Sequence, residues 1–443
     1  MDPRFSAHNT HLLEPEHFHD FDPQLRRLKT QAYIHHPRLL NELPDNIPGI
    51  YTLGGGRQIG KTTLLKQWMA ALIHKQIQPE RIAFFSGELI DDHHALFYLL
   101  SQQLELMPNE GVNYLLLDEV TYILDWDKAI KYAADLGLFD RVILVLTGSD
   151  LSLMQEARMR FPGRRGQAST VNFHLYPLSF REVIELKYAS LEAPAITCLF
   201  EELRNYLIHG GYLTAINDYA CHGNILNATL MTYADWIRGD MQKRGKQGHY
   251  LKEIISAILK RSGSQVTWNS LAKDLSIDHP KTVADYMALL ESMDALFIQS
   301  ALIEDKLVGA PKKARKLFFT DPFIFHAMRA WIFPTHDAFS NQIQPFLNDP
   351  IEVSKLVELC AVTHYRRYFE TYYIKATGEV DIAYIHENRF WPVEIKWSNQ
   401  LRKKDLKQIL KYNNGIILTK NATSGTIQNI TTLPLPLALW QLA

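Results

Sequence analysis

The segment Gly55-Gly56-Arg57-Gln58-Ile59-Gly60-Lys61-Thr62 has the spacing GxxxxGK[ST]. In such a loop, glycines let the chain turn tightly and aim backbone N–H groups at phosphate oxygens. A helix opening directly after the loop adds the partial positive charge of its N-terminus. The Lys61 ammonium can then reach the β- and γ-phosphates of a nucleoside triphosphate, and the Thr62 hydroxyl can hold Mg2+. Gly55, Gly56, Arg57, Gln58, Gly60, Lys61, Thr62 and Thr63 are thus the candidate ATP-binding residues. The bland alternative is a chance match in a glycine-rich turn. The flanks argue against it, because the strand-like IYTL precedes the loop and the helix-like TTLLKQWMAALIHK follows it.

Further along, Leu115-Leu116-Leu117-Asp118-Glu119 is an apolar run ending in two carboxylates. Downstream of a phosphate loop, Asp118 suits the magnesium, and Glu119 suits orienting and deprotonating the attacking water. Alone, the pair would read as a solvated strand end. Thr147-Gly148-Ser149 ends the run RVILVL and offers a polar group to sense the γ-phosphate or place the water. Arg158, Arg160, Arg164 and Arg165 follow. One of them could act as an arginine finger in cis or toward a neighbouring subunit, which leaves an oligomer open; surface charge is the ordinary reading.

A second constellation lies near the C-terminus. Residues 352–368 carry an apolar stripe at helical spacing through Val353, Leu356, Val357, Cys360, Ala361 and Tyr368, with Glu358 at its edge. TYYIK, GEVDIAYI, a turn HENR and FWPVEIK follow. A turn centred between Glu387 and Asn388 sets Asp381 directly across from Glu394, and Lys396 shares that face. Two carboxylates on neighbouring strands make an oxygen-rich site for Mg2+ or Mn2+, with Asp381 and Glu394 as ligands. The lysine beside them can position water or stabilise developing charge. This arrangement resembles the PD-(D/E)xK nuclease core. The resemblance makes Glu358, Asp381, Glu394 and Lys396 the candidate catalytic groups there, beside Asp118 and Glu119 at the ATP site. Arg402, Lys403, Lys404, Lys407 and Lys411 would contact nucleic-acid phosphates. His364 is a further ligand candidate, although a packed histidine is the simpler reading. Opposite charges across paired strands are common, so the pattern also fits a purely structural sheet.

The elements that must position these groups fall in an order. IYTL, RIAFFS, NYLLLD and RVILVLT read as buried parallel strands, and the segments between them are long enough for crossover helices. Residues 180–245 read as mostly helical. Residues 250–330 give helices over 251–261, 268–275 and 280–291 and then strands, which is the rhythm of a winged helix. Lys281, Thr282 and Asp285 would face outward near the start of its third helix, and Lys312, Lys313, Arg315 and Lys316 would form a basic wing. Pro334, Pro345 and Pro350 mark 333–350 as a linker. The expected organisation is an N-terminal arm over 1–24, a P-loop ATPase domain over 25–180, a helical lid over 181–245, a winged helix over 246–333 and a nuclease-like domain over 350–443. The fold class is α/β, combining an AAA-type parallel sheet with a C-terminal restriction-endonuclease-like domain.

GGGRQIGKTTLL, YLLLDEVTYILDWDKAIK, LVLTGSDLSLM, FPGRRG and YPLSFREVIEL occur in that order. Together they resemble the AAA-type ATPase domain of a large prokaryotic family of mostly uncharacterised ATP-binding proteins, over roughly residues 25–240. That family usually has proline where Gly56 stands and a hydroxyl residue where Asp150 stands. Neither change touches a phosphate ligand. The resemblance implies ATP hydrolysis, and family members commonly end in a domain of unknown function with a nuclease-like core.

Composition bounds the rest. The 443 residues suffice for two to four domains at about 100–200 residues each. A net charge of -1 rules out a chain that is basic throughout, while leaving room for local basic patches. Cys198, Cys221 and Cys360 show no CxxC spacing, which points away from a disulfide framework or zinc and toward a reducing, cytoplasmic setting. His8, His11, His17 and His19 crowd the first twenty residues without a ligand spacing, and read as part of a polar arm. No apolar h-region and no membrane-spanning run is visible. The expected function is nucleotide-controlled, metal-dependent cleavage of nucleic acid. The alternatives are an ATP-driven signalling switch or a DNA-binding regulator with an inactive nuclease-like domain.

Overall fold

The computed structural model describes residues 1–150, 154, 159, 161, 163, 166, 168–188, 194–277, 279–398 and 406–442. It divides into two compact units, Met1–Tyr176 and Pro177–Ala443.

The first unit is built on a parallel sheet of β1 (Gly49–Gly54), β2 (Ile82–Ser86), β3 (Asn113–Asp118), β4 (Val142–Gly148) and β5 (Asn172–His174), in the order β2-β3-β4-β1-β5. These strands are apolar throughout because both faces are covered. Alternate residues divide between two cores. Tyr51, Leu53, Phe84, Leu116 and Val145 pack with Leu64, Leu65 and Trp68 of the helix Lys61–His74. Ile50, Phe85, Leu115, Leu117 and Leu144 pack with Leu96 and Leu100 of the helix His93–Leu106 and with Ile130 of the helix Trp126–Asp135. β1 and β3 both pair with β4, so the C-terminal ends of these three strands bring Gly54, Asp118 and Gly148 to one sheet edge. That is the edge where open α/β sheets bind ligands. Strand β5 was not expected; three residues with one buried side chain give too little pattern to read.

The stretch 1–24, expected as a polar arm, packs as part of this unit. Asn9 accepts from Phe84 N–H and donates to Phe84 O, both at 2.8 Å, and His11 bonds Ile82 O at 3.0 Å. The arm thereby pairs the free edge of β2, which would otherwise leave backbone groups open. Phe5, His11 and Phe18 are fully buried, and Lys66 of the phosphate-loop helix pairs with Asp22 at 3.2 Å.

The second unit begins with the helices Phe180–Lys187, Ile196–His209, Leu213–His222 and Asn227–Lys243. The helices Gly248–Lys260, Trp268–Asp274 and Pro280–Ser292 come next. Then come β6 (Leu296–Ser300), the short pair β7 (Leu302–Ile303) and β8 (Val308–Gly309), and β9 (Arg315–Phe319), with β6 antiparallel to β9. The helix Pro322–Ile332 follows. The expected linker over 333–350 is instead packed: Phe339, Ile343, Phe346 and Leu347 are buried, and the Phe346 ring lies 5.1 Å from that of Phe325. Pro350 sits in the first turn of its helix, where the missing N–H costs nothing, and Pro345 opens the α-helical turn that continues a π-helical stretch over Phe339–Ile343.

The helix Pro350–Tyr368 leads into β10 (Thr371–Lys375), β11 (Glu379–His386), β12 (Arg389–Lys396), β13 (Ile416–Thr419), β14 (Gly425–Ile427) and β15 (Ile430–Pro434), and then the helix Leu435–Gln441. The sheet order is β10-β11-β12-β13-β15-β14. Glu387 (φ 50°) and Asn388 (φ 56°) both adopt the left-handed conformation of a two-residue hairpin turn, which fixes the β11/β12 register. Among the described residues, the basic stretch before β13 shows only the 3-10 turn Ile409–Lys411 in place of the expected helix; Arg402, Lys403 and Lys404 lie outside the described residues. No helix of the described residues is long and apolar enough to cross a membrane.

Candidate functional site

The phosphate loop joins β1 to the helix Lys61–His74, whose first residue is the lysine of the motif. Two glycines are required by the backbone itself. Gly55 has φ +150° and a Cβ there would lie 2.6 Å from Leu175 O, while Gly60 has φ +105° just before the helix. Lys61 Nζ donates to Gly55 O at 3.1 Å and Gly56 O at 3.0 Å and pairs with Glu119 at 3.3 Å. The Arg57 guanidinium donates to Tyr122 Oη and lies 5.4 Å from its ring centroid, which ties the loop to the segment after β3. Gln58 sits at the tip with φ 54° and is exposed, and Thr63 is half-buried in the first turn.

A chain of hydrogen bonds links the loop to β3 and β4. Thr62 Oγ1 donates to Asp118 Oδ2 at 2.6 Å, and Thr147 Oγ1 donates to Asp118 Oδ1 at 2.5 Å. Thr147 Oγ1 in turn accepts from Glu119 N–H at 2.9 Å, and Ser149 Oγ donates to Glu119 Oε2 at 3.1 Å. Glu119 has φ 51°, a conformation that points its side chain toward Lys61 and off the strand axis. Gly87 makes room for this turn, because a Cβ there would lie 2.5 Å from Glu119 O. Burial pushes the Asp118 carboxyl above its ordinary value, and the hydrogen bonds from Thr147 and Thr62 only partly oppose that. Oxygen donors from Thr62 and Asp118 in contact, with a carboxylate poorly compensated by its surroundings, fit a hard divalent cation. Of the four candidate finger arginines, Arg158, Arg160, Arg164 and Arg165, none lies in the described residues.

At the second constellation, the ladder pairs Ile382 with Val393 through His386 with Arg389, and one step further sets Asp381 across from Glu394. Ile395 N–H donates to Asp381 Oδ2 at 2.9 Å, and Lys396 Nζ pairs with Glu394 at 2.5 Å. Glu358 of the helix Pro350–Tyr368 joins the group, and so does Glu379, which sequence reasoning missed although it stands two residues before Asp381 on the same strand face. Burial pushes the Glu394 carboxyl up, with Asp381 adding to the effect. Glu394 Oε2 is buried without a hydrogen-bond partner.

The centre of this group is taken by a lysine. Lys316 Nζ lies 2.8 Å from Glu358 Oε1 and 3.3 Å from Asp381 Oδ1 and also pairs with Glu379. Lys316 was expected on a basic wing; it is 1% exposed, because β9 is covered on both faces and the ammonium is paired with Glu358, Glu379 and Asp381. Arg315 is drawn from that cluster as well, stacking 4.3 Å over Trp268. Lys312 and Lys313 remain exposed, as do Lys281, Asp285, Lys407 and Lys411, while Thr282 is half-buried. Among the described residues, no group of three His, Cys, Asp or Glu side chains is placed to hold a metal ion. As folded, therefore, the site does not fit the Mg2+ or Mn2+ expected there.

His364 is a packing residue. Its Nε2 accepts from Phe180 N–H at 2.9 Å and its Nδ1 donates to Cys360 O at 2.7 Å, so protonation at Nε2 would break a buried bond. Burial lowers its pKa to about 4. A depressed folded value means stability that is fully present above the unfolded value near 6.5 and is lost as pH falls toward about 4. A His364→Gln variant should differ from wild type by a stability gap that narrows by about 3 kcal/mol over that window. Urea unfolding of both proteins at successive pH values checks this, and a gap independent of pH would contradict it.

A parallel sheet with a phosphate loop after its first strand and a hydrogen-bonded carboxylate pair after its third defines the P-loop ATPase class. Residues 48–184 match the family model of an AAA domain, and residues 200–334 match that of a domain of unknown function (DUF8612). An uncharacterized protein of Haemophilus influenzae is 25% identical over 283 residues, covering 61% of this chain and 67% of that protein. Among solved structures, the Walker-type ATPase paby2304 of Pyrococcus abyssi aligns at 16% identity and TM-score 0.44, covering 66% of this chain and 94% of that one. Cdc6p from Pyrobaculum aerophilum aligns at 15% identity and TM-score 0.27, covering 70% and 92%. The chain thus carries an AAA-type P-loop ATPase domain.

Proposed function

We propose that this chain binds ATP with Mg2+ at the loop Gly55–Thr62 and hydrolyses it, with Glu119 as the residue that takes the proton of the attacking water. The observation that carries this is the hydrogen-bonded chain Thr62–Asp118–Thr147–Glu119, which couples the phosphate loop to the acidic pair. Thr62 and Asp118 would hold Mg2+, which supplies charge neutralisation on the phosphates. Lys61 would exchange Glu119 for phosphate oxygens. Glu119, still held by Ser149, is then free to orient water. Thr147 keeps Asp118 and the Glu119 backbone at a fixed spacing. Phosphate release from ATP by the purified chain, with Mg2+ and then with EDTA, tests this. Release that does not depend on the metal would overturn it.

For the second unit, the three-helix and ribbon order over 248–319 supports a winged helix, and the Asp381/Glu394 register with Lys396 beside it supports a PD-(D/E)xK-like domain. The occupied acidic centre favours the reading in which this domain is closed to catalysis and the ATPase acts as a switch. Cleavage of nucleic acid is the rival. Incubating the chain with plasmid and single-stranded DNA, with Mg2+ or Mn2+ and with or without ATP, should leave both DNAs intact. Cutting that disappears in Asp381→Ala would reverse the preference.

A further inference from the structure

We propose that Lys316 is a tethered cation that stands in for a divalent metal in the C-terminal acidic site, closing a latent metal centre from within the chain. The inference rests on the nuclease-like reading of residues 350–443. Its warrant is that residues outside the C-terminal sheet reach into the carboxylate group and fill its centre. Lys316 on β9 and Gln299 opposite it on β6 act together. Gln299 Nε2 donates to Tyr372 O and Asp381 O, both at 3.0 Å, which anchors the ribbon to β10 and β11. The Lys316 ammonium then projects among Glu358, Glu379 and Asp381. Gln265 donates to Glu379, and a Cβ on Gly263 would lie 2.8 Å from Glu358 Oε2, so the chain at 263–265 packs against a further side of the group.

Charge explains why one ammonium lodges there. Three partly buried carboxylates this close together repel one another unless a cation stands between them. The Lys316 ammonium is that cation: it pairs with Glu379 and lies 2.8 Å from Glu358 and 3.3 Å from Asp381. Lys396 is engaged with Glu394, whose Oε2 has no partner. The site is thus shaped for more positive charge than Lys396 brings. A divalent ion held by Asp381 would have to displace the Lys316 ammonium, which already lies 3.3 Å from Asp381 Oδ1 and takes the place of its charge.

The test measures Mn2+ binding to the full chain by loss of the free-ion EPR signal, without nucleotide. Wild type should show no Mn2+ binding that depends on Asp381. Lys316→Met should gain one site, at least about tenfold tighter than any in wild type, and Lys316→Met/Asp381→Asn should lose it again. Asp381-dependent Mn2+ binding in wild type would overturn the proposal, as would a folded Lys316→Met that gains no site. Should Lys316→Met fail to fold in EDTA, recovery of its circular dichroism on adding Mn2+ supports the proposal, and no recovery overturns it. DNA cleavage is read separately on the same samples. A Lys316→Met that binds Mn2+ without cutting upholds the tethered cation and sinks the nuclease reading alone.

Discussion

Glu119→Gln should lower ATP turnover by about 10²–10⁴ while leaving ATP affinity within about threefold. The amide is the right substitution because it removes only proton acceptance and the ion pair to Lys61 and keeps the other contacts of Glu119. The Glu119 N–H still donates to Thr147 Oγ1, so the left-handed turn that follows β3 is kept. An amide oxygen can still accept from Ser149 Oγ, and neither Thr62 nor Asp118 is disturbed. What disappears is the base that takes a proton from water, and with it the ion pair to Lys61. Loss of that pair removes a competitor for the Lys61 ammonium, so affinity holds or rises slightly. Calorimetric titration with ATP, beside steady-state phosphate release, separates the two effects. Turnover near the wild-type rate would remove Glu119 from the chemistry, and loss of binding with turnover would assign it to the nucleotide pocket.

The parts of this site that could be read from sequence share a physical property: they are set by short-range rules. Four buried parallel strands are continuous apolar runs, so their C-terminal ends, and with them Asp118 and Thr147, were located to within a residue or two. The Asp381/Glu394 pairing follows from counting outward from a turn whose residues, Glu387 and Asn388, adopt positive φ. What escaped depends on contacts between distant segments. Lys316 stands among Lys312, Lys313 and Arg315, so its composition says exposed wing, whereas packing on both faces of β9 and carboxylates more than forty residues away bury and pair it. The arm over 1–24 looks polar, but its polarity serves the edge of β2, through Asn9 and His11. Prolines at 334, 345 and 350 suggested a linker; two of them start helices whose apolar residues pack, and no local rule separates the two uses.

Lys61→Ala should lower ATP affinity by about 10²–10⁴, the largest binding effect expected of any single change in the chain. Each charge-assisted hydrogen bond to phosphate is worth about 1.5–3 kcal/mol, and the ammonium reaches both β- and γ-phosphates. The fold should survive. Lys61 stands in the first turn of its helix, where a side chain is not needed to complete the backbone bonds, and the loop's conformation is set by Gly55 and Gly60. The carbonyls of Gly55 and Gly56 lose a donor, but they lie at a loop that can admit water. The clearest readout is thermal. With ATP at a hundred times its dissociation constant, wild type gains about 2.7 kcal/mol against unfolding, and the variant should gain close to nothing at the same concentration. An equal gain in both proteins would mean that the nucleotide binds elsewhere, and the phosphate-loop assignment would fall with it.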